Sequence, residues 1–202
     1  MVQPGTDTFR RRRKYVREIG YLSKRLPTVS TGDRARLRRE AVGRKGVGSP
    51  GLWRLLVGLG FKIEKTSEEK IEKWATVMQA MAILTPRPAH DGTLFEPHSG
   101  DDSRAFGRAL CDGGNLAWDP KKPDARPVVS ELRLAKMLAA KGKLRRELVI
   151  RAAKIIAKSG APVNCIDIAG FVLDEDQEWP ANAIAKSYYA RAGWDESEKD
   201  AE

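Results

Sequence analysis

Apolar residues recur at intervals of three and four along most of this chain of 202 residues, and no stretch alternates apolar and polar side chains convincingly. That spacing places apolar side chains on one face of an α-helix, whereas a half-buried strand requires a period of two. The first such series is Tyr15, Ile19, Leu22 and Leu26. The sequence therefore predicts an all-α fold, in which two small helical bundles are joined by a proline-rich loop.

Glycine and proline suggest where the chain divides. Residues 113–127 begin with two glycines and contain three prolines, and we interpret them as a linker loop. The predicted bundles cover residues 7–112 and 128–194. Residues 1–6 and the acidic tail at 195–202 are predicted to be disordered. A second loop, at 85–101, is long for a compact domain, so we expect it to be mobile or to be ordered by a partner.

Residues 32–39 read Gly-Asp-Arg-Ala-Arg-Leu-Arg-Arg and predict a short basic helix. Thr31, Gly32 and Asp33 offer N-cap chemistry. Leu37 and Ala41 form a narrow apolar seam, beside which we expect all four guanidinium groups to remain outside the fold. Arginine can bind phosphate oxygens in bidentate fashion, which favours a nucleic-acid backbone as partner. A solvated helix with local ion pairs is the alternative. The four arginines are Arg34, Arg36, Arg38 and Arg39.

The excess of positive charge lies at one end of the sequence. The net charge is +10, and residues 1–45 hold 14 basic and 4 acidic side chains, while the rest of the chain is balanced at 23 of each. A basic run at 10–14 belongs to this excess. Such asymmetry is typical of a surface that binds a polyanion, with an affinity that falls as salt rises.

Two further groups of basic residues are candidates for nucleic-acid contact. Arg44 and Lys45 lie in a glycine-rich segment that predicts a flexible basic loop. Arg151, Lys154 and Lys158 form a stripe at helical spacing on a predicted helix at 143–159. The stripe is also what the wet face of an amphipathic helix looks like.

The sequence contains no recognisable catalytic frame. We find no paired carboxylates in a known arrangement, no phosphate-binding glycine loop and no nucleophile elbow. His90 and His98 lie near acids in one proline-rich loop, but their spacing fits no standard metal site. We therefore predict a binding protein without metal or cofactor. Two widely separated cysteines and the lack of a long apolar run favour a cytoplasmic protein.

Four segments in order resemble a known family. They are residues 32–39, Ser-Arg-Ala-Phe-Gly-Arg-Ala-Leu at 103–110, Ser-Glu-Leu-Arg-Leu-Ala-Lys-Met-Leu at 130–138, and the last helix with its Tyr-Tyr pair. Over residues 7–194 the chain resembles the small subunit of the CRISPR-associated Cascade surveillance complex, the CasB family of type I-E systems. By match to these motifs, Arg34, Arg38 and Arg39 are the best candidates for nucleic-acid contact, with Arg36 behind them. Arg108 and Arg133 match the second and third motifs, but either could serve in an ion pair between domains or subunits.

The resemblance implies a non-catalytic subunit present in two copies. It would pack against the repeated backbone subunits, the large subunit and its own second copy, and it would help to hold the unwound DNA, including the displaced single strand. The basic run at 10–14, the loops at 85–101 and 115–127 and the acidic tail depart from the family pattern. The alternative is a free-standing helical regulator that binds DNA or RNA by itself.

Overall fold

The computed structural model describes residues 15–39 and 49–193, and within these ranges the protein has nine α-helices and no strand. The predicted all-α fold is confirmed. The helices are α1 (Val16–Arg25), α2 (Thr31–Arg39), α3 (Pro50–Gly58), α4 (Glu68–Leu84), α5 (Phe106–Asp112), α6 (Glu131–Ala139), α7 (Gly142–Ile156), α8 (Cys165–Leu173) and α9 (Trp179–Ala192).

Helix boundaries follow capping chemistry, with two corrections to the predicted caps. Helix α2 is capped by Ser30, whose Oγ accepts a hydrogen bond from the Asp33 amide at 3.1 Å, and Thr31 to Asp33 already belong to the helix. Thr66 with Glu69 predicts a capping box for helix α4, but Ser67 caps it. In both helices a serine lies three residues before the amide that it binds, which is the usual N-cap geometry. The glycine pair at 113–114 predicts the end of helix α5, and the structure confirms it, since Gly113 adopts a left-handed conformation.

Helix α4 lies at the centre of the fold. It packs against α1 and α2, which precede it in the chain, and against α7 and α8, which follow it. Its residues 76–82 are all buried, so this part of the helix has no wet face. Buried residues from before and after 113–127 belong to one hydrophobic cluster. Residues 113–127 themselves contain turns and no helix, and the division into two bundles at this loop stays a prediction.

Helices α5 and α9 cross at very short distance. A Cβ atom on Gly107 would collide with the Ile184 carbonyl oxygen and the Ser187 hydroxyl on α9. A glycine inside a helix costs about 1 kcal/mol relative to alanine, so its presence predicts a close helix crossing at this position. The structure confirms that prediction. Arg191 of α9 also forms an ion pair of 2.7 Å with Asp112 at the end of α5.

The loop at 85–101 is held by the chain itself. The Ser23 hydroxyl donates to Glu96 at 2.7 Å, and the Ser99 amide donates to the Val163 carbonyl at 3.1 Å. His98 accepts a hydrogen bond from the Cys165 amide at 3.2 Å. The loop is thus fixed on both sides by other parts of the fold, and the expectation that it would be mobile or need a partner was wrong for residues 96–99.

Some predicted features lie outside the described residues. These are residues 1–14 with their basic run, residues 40–48 with Ala41, Arg44 and Lys45, and residues 194–202 with the acidic tail. Within the described ranges, no helix is both long enough and apolar enough to cross a membrane.

Candidate nucleic-acid interface

The arginines of α2 divide into an inner and an outer pair. Arg34 is only 7% exposed, and its Nη1 donates to the Pro27 carbonyl at 3.3 Å. Arg36 and Arg39 are exposed. Arg39 donates to the Ala35 carbonyl of its own helix at 3.1 Å.

Arg38 joins α2 to the C-terminal end of α4. Its Nε donates to the Ala82 carbonyl at 2.7 Å, and its Nη2 donates to the Thr85 carbonyl. In return, the Gln79 amide nitrogen on α4 donates to the carbonyl of Arg38 at 3.3 Å. The last carbonyls of a helix lack partners within the helix and carry partial negative charge, which is why a guanidinium binds there.

The expectation that all four guanidinium groups of α2 remain outside was therefore wrong for Arg34 and Arg38. Helical periodicity placed both beside the apolar seam, but it could not show that free carbonyls of distant segments lie opposite them. Both arginines have a structural use in this fold. Whether they also contact nucleic acid stays a prediction.

A cleft of about 350 Å³ opens between the end of α4 and the end of α7. Three basic side chains line it: Arg38 from α2, Arg87 from the segment after α4, and Lys154 from α7. Its other lining residues are apolar or neutral, and among the residues that the structure describes no acidic side chain lines it. We call this feature the basic cleft. Arg87 and Lys154 are exposed, so both can reach a ligand.

The charges around the basic cleft repel one another. The pKa of the Arg38 guanidinium lies below its ordinary value, first because burial penalises the charged form, and then because Arg34 and Arg87 carry like charge nearby. An anion in the cleft relieves this repulsion, since it supplies the opposite charge that the lining residues do not. A phosphate group is an anion of the size and geometry that arginine and lysine bind.

The remaining predicted residues lie at various places on the surface. Arg151 is exposed on α7, where its Nη2 lies 3.9 Å from Glu147 of the same helix. Lys158 is also exposed. It belongs to the same basic stripe as Lys154, the stripe residue that lines the basic cleft. Arg108 is half-buried on α5, and Arg133 is exposed on α6. Neither lines the basic cleft.

Sequence reasoning missed Arg87. This residue lies between two prolines in a segment without periodicity, so no pattern in the sequence predicts its direction. One feature of the sequence could have drawn attention to Arg87: it lies two residues after Thr85, at the end of a long apolar helix. Because Arg38 binds the carbonyls of that same helix end, Arg87 comes to lie on the same cleft.

Arg145, near the start of α7, is a second basic residue that the fold uses internally. It is 4% exposed, and its guanidinium donates to the carbonyls of Ala140 at 2.7 Å, Phe171 at 3.0 Å and Glu175 at 3.3 Å. The same group lies 4.3 Å from the centre of the Phe171 ring. The neighbouring Arg146 is also largely buried and pairs with Glu72 of α4 at 2.8 Å. Helix α7 therefore carries inward arginines near its start and an outward basic stripe near its end.

The histidine-containing loop does not assemble a metal-binding cluster within the described ranges, where no three His, Cys, Asp or Glu side chains converge. His98 is bonded to α8 through the Cys165 amide, and Glu96 is bonded to Ser23. Burial raises the pKa of the Cys111 thiol to about 11, and it also raises the pKa of the fully buried Cys165 thiol. Both thiols are thus poor nucleophiles and poor metal ligands at neutral pH.

Comparison with known proteins identifies the family. Residues 33–189 match the family model of the CRISPR-associated protein Cse2. No match was found among curated proteins or among solved structures. The matched segment begins inside α2 and ends within α9, so it contains the basic cleft and most of the described fold. The chain belongs to the Cse2 family, the small subunit of the type I-E Cascade complex, as the resemblance in its sequence implied.

Proposed function

We propose that this subunit of a CRISPR Cascade complex binds nucleic acid through its backbone phosphates at the basic cleft, without sequence preference, and so helps to stabilise the unwound DNA. The observation that carries the proposal is the convergence of Arg38, Arg87 and Lys154 from three separate segments on one cleft, with no acid among its described lining residues. The displaced single strand is the ligand that best suits a site of this kind, because its flexible backbone can follow a small cleft more closely than a rigid duplex can.

The chemistry of the lining supports binding without sequence readout. The other described lining residues are Ile83, Thr85, Pro86 and Ala157, and Asn, Gln and aromatic residues are absent from that set. Asn and Gln read base edges, and aromatic rings stack on unpaired bases. A cleft whose charged side chains are all basic binds the phosphates of the backbone and does not distinguish one base from another.

The basic cleft extends along α7. Lys154 lines the cleft, Arg151 is exposed on α7, and Lys158 is exposed in the 3-10 turn that follows α7. A strand that enters at Arg87 and leaves along α7 therefore passes several cations in succession. Arg38 contributes less than Arg87 or Lys154, since its Nε and Nη2 already bind carbonyls of α4.

The partners and the role of the protein follow from the family. We propose that the subunit packs against the repeated backbone subunit, the large subunit and a second copy of itself, and that it acts as a structural component and not as an enzyme. We propose that neither nucleic-acid binding nor subunit packing requires a metal ion or a cofactor. We also propose that the protein acts in the cytoplasm, where invading DNA is encountered.

The test is charge reversal at Arg87 and Lys154, two exposed cleft residues whose side chains form no hydrogen bond or ion pair within the described part of the chain. Arg87→Glu combined with Lys154→Glu should weaken the binding of a labelled single strand about tenfold or more, equally for strands of unrelated sequence. The slope of log affinity against log salt should fall by about 1.4, because each lost phosphate contact on a single strand removes about 0.7. Lys24→Glu with Lys65→Glu is the matched control, since both residues are exposed, lie outside the cleft and change the net charge equally.

Equal losses in the double variant and its control would show a general charge effect and reject the basic cleft as the site. Tight binding of one duplex sequence by the isolated protein would instead support a regulator that acts alone. Substituting Arg34 or Arg38 is a poor first test, because a loss of binding could then follow from a loss of folding.

A further inference from the structure

Large apolar side chains are exposed around the C-terminal end of α9. Leu132 is 81% exposed, Leu116 is 50% exposed and Val128 is 38% exposed. We call these three residues the apolar patch. On α6, Leu134 is buried and Leu138 is half-buried, whereas Leu132 and Ala135 are exposed. The apolar residues of α6 cover a wider arc than the face that packs on the core.

The apolar patch is held in place by specific contacts. Arg191, near the end of α9, pairs with Asp112 and donates to the Leu116 carbonyl at 3.0 Å. Tyr189 donates to Glu131, the neighbour of Leu132, at 3.0 Å.

Val128 is fixed by contacts with the C-terminal end of α5. Its amide donates to the Cys111 carbonyl at 2.9 Å, and its side chain would lie 3.1 Å from a Cβ atom on Gly113. The Leu116 carbonyl, the Val128 amide and the side chain of Glu131, next to Leu132, are thus bonded to the ends of α5 and α9. A backbone that is already fixed loses little conformational entropy on binding.

Basic residues outnumber acids in the segment that carries the apolar patch. Residues 113–136 contain five basic and three acidic side chains. The five are Lys121, Lys122, Arg126, Arg133 and Lys136, and all are exposed. One of the acids, Glu131, is already bonded to Tyr189. A partner that covers this region therefore needs apolar side chains in its centre and carboxylates around them.

A protein partner fits this surface better than nucleic acid does. Leucine and valine cannot stack on bases as aromatic rings do, and a phosphate backbone gains nothing from three exposed aliphatic groups. Exposed apolar side chains of this size with polar surroundings are typical of protein interfaces. The basic cleft, by contrast, is lined by cations and carries no exposed large apolar side chain.

We infer that the apolar patch docks a neighbouring subunit of the complex, one that presents apolar side chains flanked by Asp and Glu. Arg133, a predicted nucleic-acid contact, then belongs to the rim of this protein interface. The inference rests on family membership and on the patch, and it does not depend on DNA binding at the basic cleft.

The experiment measures how strongly the full chain joins a complex assembled from the other subunits without it. Leu132→Asp should raise the concentration for half-saturation about tenfold or more, and Leu116→Asp should add to the effect. Lys136→Glu should weaken assembly to a smaller extent. Val57→Asp is the matched control, because Val57 is 59% exposed on α3, away from the patch, and its variant should assemble normally. Single-strand binding by each isolated variant should be unchanged.

Three results would overturn the inference. Leu132→Asp and Val57→Asp could assemble equally well, which would leave the patch without a role. Leu132→Asp could reduce single-strand binding as much as assembly, which would assign the patch to nucleic acid. The isolated wild type could sediment as a dimer that Leu132→Asp converts to a monomer, which would assign the patch to a second copy. Leu132→Asn, with thermal unfolding of each variant, separates these outcomes from misfolding.

Discussion

Helices α2 and α7 are both rich in basic residues, yet they use them differently. In α2 the charges alternate along one short helix, so Arg34 and Arg38 turn inward and bind carbonyls, while Arg36 and Arg39 face water. In α7 the two uses are separated along the helix, with Arg145 inside near the start and the basic stripe outside near the end.

This difference shows that a cluster of arginines in a sequence can serve two purposes: some arginines bind carbonyls inside the fold, and others stay exposed for ligand binding. An arginine turns inward where another segment ends with unpaired carbonyls, because the guanidinium has several donors in one plane and satisfies more than one acceptor. It stays outside where only water faces it. The inner residues should therefore control stability, and the outer residues should control binding.

The largest expected effect on stability comes from Arg145. Arg145→Met keeps most of the volume of the side chain but removes the donors to three carbonyls. We expect the free energy of unfolding to fall by about 3 kcal/mol, because buried carbonyls left without a partner are costly. Urea denaturation measures this change. Lys154→Met, on the outer face of the same helix, should shift the free energy by less than about 0.5 kcal/mol. Equal effects of the two variants would contradict the distinction between inner and outer residues in α7.

The second effect concerns Arg38 and Arg39, which are neighbours in sequence. Arg38→Met removes the donors to Ala82 and Thr85 and should lower the free energy of unfolding by about 2 kcal/mol. Arg39→Met should change it by less than about 0.5 kcal/mol, because Arg39 is exposed and its guanidinium, among the described residues, bonds to a carbonyl of its own helix. Chemical denaturation of both variants under one set of conditions provides the comparison. If Arg39→Met proved the more harmful, the outward direction of Arg39 would be wrong.

The smallest effect is a dependence on pH that tests how residues 96–99 are held against α8. Burial lowers the pKa of His98, and the Val163 backbone and the Glu96 carboxylate oppose this shift only in part. The unfolded chain therefore takes up the proton first. Stability should be complete above about pH 6.5 and should decline as the pH falls from there to the lowered pKa of the folded state.

Protonation also disturbs the hydrogen bond that His98 accepts from Cys165, so residues 96–99 should loosen from α8 in the same range. Denaturation at a series of pH values measures the decline. His98→Gln should flatten it, while His90→Gln, at an exposed position of the same loop, should preserve it. A slope that survives His98→Gln would assign the titration to another group.

The sequence allowed most of the helices and their ends to be predicted, because periodicity and capping act within a few residues. The glycine stops at Gly113 and Gly160 and the close crossing at Gly107 are examples. The basic cleft was only half predictable. Arg38 and Lys154 were candidates for separate reasons, but nothing in the sequence indicated that they would share one cleft.

The rest depended on contacts between segments far apart in the chain. The partners of Arg38 lie 44 and 47 residues later, so no local pattern could indicate that its guanidinium is occupied. Leu132 shows the opposite case, an apolar residue with helical spacing that the fold leaves exposed. In both cases the direction of a side chain was set by which surface lies opposite it, and that is a property of the tertiary fold.

The contact between α5 and α9 has a consequence for the order in which the protein is made. Arg191 reaches back 79 residues to Asp112, and Gly107 fits against a helix that the ribosome adds much later. During synthesis, α5 lacks its packing partner α9 until the last helix emerges. Long closures of this kind are slow compared with local helix formation. The nascent chain therefore completes its core late, and a pause in translation before residue 179 prolongs the period in which it can aggregate.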